Sequence, residues 1–446
     1  MSQVVTCLKD IATPKGAYLS AQYKKSFAYH TLQERAPIIL TNFLDHLVID
    51  RCEIIEQYEG DSAEEIKQII GHISKLKNEL QTNKKLQPIK GHGSDVKTWN
   101  NFLESFTESQ DFYTTVFLYA ECYLYRRIQE AFDLTCSLRD YDIFRKKKDD
   151  SLVKAHYPII VVSKYMNEIQ GKTSIGEDEL RNEFFKLLRL SVWGNRCDLS
   201  ISAGADNSQT TDPLASLMDL TDKVIVDDSL MIWNYLNCVR KNNDDNCGQT
   251  IIDIILDNSG YEFFTDLCFA DFLLDRKFAH KIRFYVKAIP WYISDVTSRD
   301  YRFVIDSLLS DCDPNVSCLG KRLTTYVDSK RFEMVVDEFW TSPYEFSKMQ
   351  GLNKALYDKL SQAAIAIFKG DLNHRKLLAD KNRPVDTDFK TALEGFLPTA
   401  VCTLRTIKCD VMCGIEQTKF DAITSKHEGE GWMGTGEYAV IQCAMK

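Results

Sequence analysis

The stretch Thr250-Ile-Ile-Asp-Ile-Ile-Leu-Asp-Asn-Ser-Gly-Tyr-Glu262 decides how this chain is read. Its apolar part is rich in β-branched residues and too short to cross a membrane, so it reads as a buried strand. Ser259 and Gly260 suit a turn into a following helix. A carboxylate, Asp257, and a carboxamide, Asn258, then stand at the carboxyl end of a strand beside a helix N-terminus. In open α/β sheets that is where ligands bind.

From about residue 224 onward the chain repeats this rhythm. Candidate strands fall at 250–256, 281–288, 333–337, 363–368, 399–404 and 438–443, with helical patterns at 261–274, 302–310, 344–349 and 353–359. Alternation of this kind predicts an α/β fold, a largely parallel sheet sandwiched by helices. Upstream, residues 20 to about 190 read as mostly helical. Pro37 is expected to split residues 26–48 into two helices, standing in the first turn of the second. Asp61 opens a charged helix that reaches about Asn83. A long helix is expected from about Trp99 to Arg127, its aromatic stripe (Phe112, Tyr113, Phe117, Tyr119, Tyr123, Tyr125) serving as bundle core. The run Phe144-Arg-Lys-Lys-Lys-Asp-Asp150 reads as a solvated connector. Another helix covers about 177–190, and 203–213 reads as a polar loop. The division expected is a mainly helical part over 1–200 and an α/β part over 201–446.

Composition narrows the function. The chain has 446 residues, 44% hydrophobic and 27% charged, with a formal charge of −9. That is ordinary for a globular protein and gives no basic footprint for nucleic acid. An acidic substrate must be drawn by a local positive site rather than by the whole surface. The start of the chain has neither the basic flank nor the apolar core of a signal peptide, and no apolar run reaches the roughly 18 residues of a membrane helix. The 14 cysteines are scattered without paired CxxC knuckles. A cytoplasmic location, with the nucleus also open, is the expectation. The oligomeric state is not legible.

The chemistry gathers after the strands. Asp257 and Asn258 follow the first, Asp295 the second, Asp371-Leu372-Asn373-His374-Arg375 the strand at 363–368, and Lys408 the strand at 399–404. If those strands are parallel, all four clusters share one rim. Crowded carboxylates repel unless a proton or cation intervenes. Carboxylates and an amide carbonyl suit a divalent ion such as Mg²⁺ or Mn²⁺. Arg375 and Lys408 supply the charge that holds phosphate. The combination points to metal-assisted phosphoryl chemistry, with capping roles for the same Asp and Asn residues as the plainer reading.

Competing motifs are weak. Gly171-Lys-Thr173 mimics the end of a P-loop, and 159–162 could be the strand before it, but Met166 stands where the first glycine belongs. Gly434-Thr-Gly436 reads as a turn. Ser259 occupies the place where a haloacid-dehalogenase type of phosphatase needs a second Asp. There is no GxSxG elbow and no HExxH.

Leu256-Asp-Asn-Ser-Gly-Tyr-Glu262, Trp193-Gly-Asn-Arg-Cys-Asp-Leu-Ser200, Lys369-Gly-Asp-Leu-Asn-His-Arg375 and Arg405-Thr-Ile-Lys408 resemble the metal-dependent damage-control phosphatases, and Arg-Thr-x-Lys resembles the hallmark of their eukaryotic subfamily III. Ser26-Phe-Ala-Tyr-His-Thr and Pro37-Ile-Ile-Leu-Thr resemble that subfamily's N-terminal helices. The resemblance implies a Rossmann-like α/β part and one divalent ion, Mn²⁺, Co²⁺ or Ni²⁺, bound by Asp257, Asn258 and Asp295. It implies catalytic roles for Asp257, Asn258 and Lys408, and substrate contacts from Asp257, Asn258, Asp371, Leu372, Asn373, His374, Arg375 and Lys408. Implied substrates are sugar phosphates, among them fructose 1-phosphate and fructose 6-phosphate. Whether Asp257 or a metal-bound water is the nucleophile stays open. The resemblance also implies an alternative, protein-glutamate methyl transfer from S-adenosylmethionine, with Glu262 and Asp295 contacting that cofactor. His374 stands where Tyr is common in the family's loop.

Overall fold

The computed structural model describes residues 8–106, 110–202, 212–242 and 249–446. Seven strands form one sheet: β1 (Val224–Asp227), β2 (Ile251–Ile255), β3 (Lys281–Val286), β4 (Phe332–Val336), β5 (Ile365–Lys369), β6 (Ala400–Thr406) and β7 (Ala439–Ala444). Their order is β1-β7-β6-β5-β2-β3-β4. The block β6-β5-β2-β3-β4 is parallel throughout, whereas β7 runs antiparallel to β6 and parallel to β1. The sheet is therefore largely parallel, as the sequence rhythm predicts. The short edge strand β1 went unpredicted.

β5 and β6 are buried along their whole length, which explains their continuous apolar runs. Asp253 interrupts the run in β2. It faces its in-register neighbour Arg283 on β3, which grips both carboxylate oxygens at 2.6 and 2.8 Å. A charge is thus tolerated inside the sheet because a bidentate partner lies on the next strand.

Helices cover both faces, and each face has its own core. On one side, Leu180, Phe184 and Leu187 of the helix Glu177–Ser202 pack with Phe263, Leu267 and Phe269 of the helix Tyr261–Asp275 and with Ile252, Ile254 and Ile367 of the sheet. On the other, Leu40, Ile69 and Phe117 of the N-terminal helices join Ile255, Tyr285, Phe368 and Val401. The division expected at residue 200 cuts across this arrangement. Ile159, Phe184 and Leu187 lie on its helical side, yet they share a core with the sheet.

Four local expectations are corrected. The long helix expected over 99–127 is two, Val96–Glu104 and Phe117–Asp133, because the Asp111 carboxylate accepts from the backbone N–H groups of Tyr113 and Thr114 and turns the chain. Its aromatic residues are nevertheless core, with Phe112, Phe117 and Tyr123 buried. Pro37 stands in the first turn of Ala36–Ile49, as expected, but no break separates that helix from Phe27–His30; the backbone widens into a π-turn at Thr31–Arg35 and continues. The charge run at 144–150 belongs to a helix, Arg145–Lys154, in which Lys148 is buried between Asp142 and Asp300, at 2.6 Å from each. Residues 159–162 lie within the helix His156–Gly171, which removes the strand a P-loop requires. The polar loop expected at 203–213 lies almost wholly outside the described residues. No helix among the described residues is long and apolar enough to cross a membrane.

Candidate active site

The chain leaves β2 toward β3 and β4 on one side, then returns to place β5 and β6 on the other. The crevice between the carboxyl ends of β2 and β5 is therefore the topological switch point. Asp257 follows β2 and Gly370 follows β5, and they meet there. A Cβ on residue 370 would lie 1.8 Å from Asp257 Oδ2, and the φ of +81° also favours glycine.

The segments after β2 and β3 pair with one another. Val296 N–H donates to the Asp257 carbonyl at 2.8 Å, Ser259 N–H to the Ser294 carbonyl at 2.7 Å, and Asn258 and Asp295 form an antiparallel bridge. This brings the three residues expected to hold a metal side by side. The Asn258 amide nitrogen donates to Asp257 Oδ2 at 2.9 Å and to Glu262 Oε2 at 2.7 Å, while its oxygen accepts from Ser294 Oγ at 2.5 Å. Asp295 Oδ2 is buried and forms an ion pair with Lys287 Nζ at 3.3 Å. Lys369, at the end of β5, reaches Asp266 and the Ser191 carbonyl at 2.6 Å each and Glu262 at 3.4 Å.

Electrostatics follow from this crowding. Burial, then the carboxylates of Asp295 and Glu262, pushes Asp257 well above the usual carboxyl range. Burial pushes Asp295 up to about 6 against the pull of Lys287, and Asp266 up to about 6 against Lys369. The buried carboxylates of Asp257, Glu262, Asp266 and Asp295 crowd together, with the ammonium groups of Lys287, Lys369, Lys148 and Lys408 acting on them. That crowding of carboxylates and an all-oxygen donor set fit one divalent cation. Among the described residues, no three His, Cys, Asp or Glu side chains already form a coordination cluster, so the donor set depends on the Asn258 carboxamide.

The run after β5 is a helix, Gly370–Leu377, rather than a loop. Its side chains mostly serve the scaffold. Asp371 accepts from Arg405 Nε at 2.7 Å and from the Lys408 backbone N–H at 3.0 Å, holding the Arg405–Lys408 segment to the rim. Leu372 is core. Asn373 donates to the Lys369 carbonyl at 2.7 Å. His374 is buried beside Thr403 and lies parallel to the Phe389 ring; burial, then Arg405, holds its pKa well below the ordinary value. Arg375 grips Asp380 with two nitrogens at 2.8 and 2.9 Å and Glu121 with the third at 2.6 Å, over the Phe117 ring. The expected phosphate role of this guanidinium is therefore not what the structure displays: it ties the N-terminal helices to the rim.

Above the rim lies a cleft of about 730 Å³ between the N-terminal helices and the sheet. Its floor carries Asn258, Ser294 and Lys408, and its walls carry Arg35, His46, Lys146, Lys147 and Lys154. Ser151 of the charged helix closes on the rim at Gly260, where a Cβ would lie 2.7 Å from Ser151 Oγ. The positive lining escaped sequence reading because its residues come from segments far apart in the chain. Lys287, Lys369, Asp266 and Ser294 were missed as well; Lys287 and Lys369 stand at strand ends, whereas Asp266 lies within the helix Tyr261–Asp275 and Ser294 in the loop after β3, where no local signal marks them. The floor is shaped by Tyr292 and Ile293, both non-glycine residues at positive φ (43° and 72°). Tyr292 stacks on Tyr125 at 4.4 Å and donates to Glu121 at 3.0 Å, which holds this costly turn in place. Gly194 lets the helix Glu177–Ser202 approach Glu262 and Thr265 closely, since a Cβ there would lie 3.0 Å from Glu262 Cα. The side chains of 195–200 lie outside the described residues.

A largely parallel sheet carrying carboxylates and a carboxamide at its switch point, beneath a basic cleft, defines an α/β protein whose candidate ligand site lies at the strand ends. Residues 31–423 match the Damage-control phosphatase ARMT1-like domain. Proteins named Damage-control phosphatase ARMT1 are similar along nearly the whole chain. The cow protein is 38% identical over 96% of this chain and 98% of its own, and the rat and human proteins are each 36% identical with the same coverage. A crystal structure of a DUF89 family protein from Pyrococcus horikoshii covers 93% of this chain and 98% of its own, with a TM-score of 0.41 and 14% identity. The chain belongs to the ARMT1-like damage-control phosphatase family.

Proposed function

We propose that this phosphatase is metal-dependent and hydrolyses phosphomonoesters of sugars and related metabolites, fructose 1-phosphate and fructose 6-phosphate among them. The observation that carries this reading is the convergence of Asp257, Asn258 and Asp295 at the switch point, where the two segments that hold them pair and present oxygen donors side by side. Asp257, Asn258 and Asp295 would hold one divalent ion, Mn²⁺, Co²⁺ or Ni²⁺. Such an ion, when bound, polarises a phosphoryl oxygen and acidifies water.

The chain's own groups do the rest. Lys408 faces the same cleft as Asn258 and supplies positive charge for the phosphoryl oxygens. The N-terminus of the helix Gly370–Leu377 adds backbone N–H groups at the crevice. Ser294 and Glu262 fix the Asn258 carboxamide, and Lys287 sets Asp295. The N-terminal helices supply one wall of the cleft. In the net reaction the bond between phosphorus and the sugar oxygen breaks, water adds its oxygen to phosphorus, and the sugar oxygen leaves with a proton. Glu262 and Asp295 are engaged in this buried charge cluster, so methyl transfer from S-adenosylmethionine gains no separate support.

The test is phosphate release from fructose 1-phosphate by chelator-stripped protein, with Mn²⁺, Co²⁺, Ni²⁺ or Mg²⁺ restored in turn. Activation by a transition ion, lost in Asp257→Ala at unchanged melting temperature, is expected. Full activity without any ion would refute the metal, and full activity of Asp257→Ala would refute the site.

A further inference from the structure

The cleft holds more positive charge than a single phosphoryl group needs. Five cationic side chains line it against one carboxylate, Asp150, in a chain whose formal charge is −9. Lys408 belongs to the floor, beside Asn258. Lys146 is already paired with Asp50 at 2.9 Å. Arg35, Lys147 and Lys154 remain, all solvent-exposed, and among the described residues no carboxylate is paired with any of them.

Their placement is built into the fold. Lys147, Ser151 and Lys154 follow one another at helical spacing of four and three, so they share one face of the helix Arg145–Lys154. Ser151 is the point where that face closes on Gly260. The two lysines therefore flank a fixed contact with the rim. Arg35 comes from the N-terminal helices, its guanidinium 5.6 Å over the Phe27 ring. A cleft of about 730 Å³ is of the size that encloses an extended ligand, roughly 300–1,000 Å³.

We propose that Arg35, Lys147 and Lys154 form a second anion subsite, and that the preferred substrates are phosphomonoesters bearing another anionic group, a second phosphate or a carboxylate, at the end remote from the scissile ester. This rests on the phosphatase reading above and narrows its substrate class. The distal group makes the same contacts in the ground and transition states, so the subsite acts on KM more than on kcat.

The experiment compares kcat and KM for fructose 1-phosphate, fructose 1,6-bisphosphate and 6-phosphogluconate, in the wild type and in Lys147→Gln/Lys154→Gln and Arg35→Gln. The side chains are exposed, so melting temperatures are expected to hold. Support is a wild-type kcat/KM at least tenfold higher for a doubly anionic substrate, together with a tenfold or greater fall in that preference in the variants, carried by KM. The bisphosphate and the sugar acid tell whether the distal group is phosphate or carboxylate. Equal use of all three substrates, or a preference untouched by the variants, overturns the subsite while leaving the phosphatase reading standing. Absence of phosphate release from every substrate with every ion overturns both.

Discussion

The α-carbon of Gly370 sits against the Asp257 carboxylate so closely that a methyl group would fall 1.8 Å from Oδ2. The two residues close the switch point from its two sides, one after β5 and one after β2. Gly370→Ala must displace the carboxylate or the turn. Because displacement of about 1 Å at a reacting centre costs on the order of 100-fold, phosphatase activity is expected to fall by at least that factor. Steady-state rates with the best-activating ion measure it. A variant of near wild-type rate would show that Asp257 does not need this position.

Ser294 holds the Asn258 carboxamide from one side, and Asp257 and Glu262 hold it from the other. Loss of a group that orients a metal ligand typically lowers metal affinity by about 10- to 100-fold. Ser294→Ala is expected to raise the ion concentration for half-maximal activation within that range, with little change in stability. An unchanged activation curve would remove Asn258 from the ligand set.

Arg375 behaves as a girder rather than a phosphate clamp. Removing it strands Asp380, which is fully buried, and leaves Glu121 with Tyr292 alone. Breaking a buried pair in this way costs about 3–5 kcal/mol. Arg375→Met should therefore lower the unfolding free energy by that order in denaturant titrations. A selective rise in KM at unchanged stability would instead restore the phosphate role suggested by its motif.

Lys376 gives a stability signature in the alkaline range. Burial lowers its pKa from 10.5 to about 8, and its ammonium donates to the Ser342 carbonyl at 2.7 Å. Between those two pKa values the unfolded chain binds more protons than the native one, so this group makes stability rise with pH. Below pH 8 its burial cost is fully present; by about pH 10 it is largely relieved. The stability difference between wild type and Lys376→Met should shift in favour of wild type across that window, by on the order of 3 kcal/mol at most. A difference independent of pH would mean that the buried amine titrates normally.

The strand after Thr250 and its turn were readable because their signals are local: β-branched runs, then Ser and Gly. The same holds for the helix Tyr261–Asp275 and for strands β3 to β7. β1 escaped because it has four residues, too few for a period to register. The break before Phe117 was hidden by an aromatic stripe that continues across it, while the Asp111 turn is a short-range hydrogen-bonding event. In the site, Asp257, Asn258 and Asp295 were legible as polar residues at strand ends. The role of Arg375 was not, since its Glu121 partner lies 254 positions away.

By itself, then, the sequence determined strands β2 to β7 and the helix after β2, and that polar side chains cluster after β2, β3, β5 and β6. Periodicity and turn chemistry are properties of neighbours along the chain. Only the tertiary structure decided that β7 runs against β6, that Gly370 lies under Asp257, and that Arg35 and the lysines of a connector-like charge run face the same cleft as Asn258. Those outcomes depend on which apolar faces find one another and on which buried charges find partners, and both are settled by packing in space rather than by spacing along the chain.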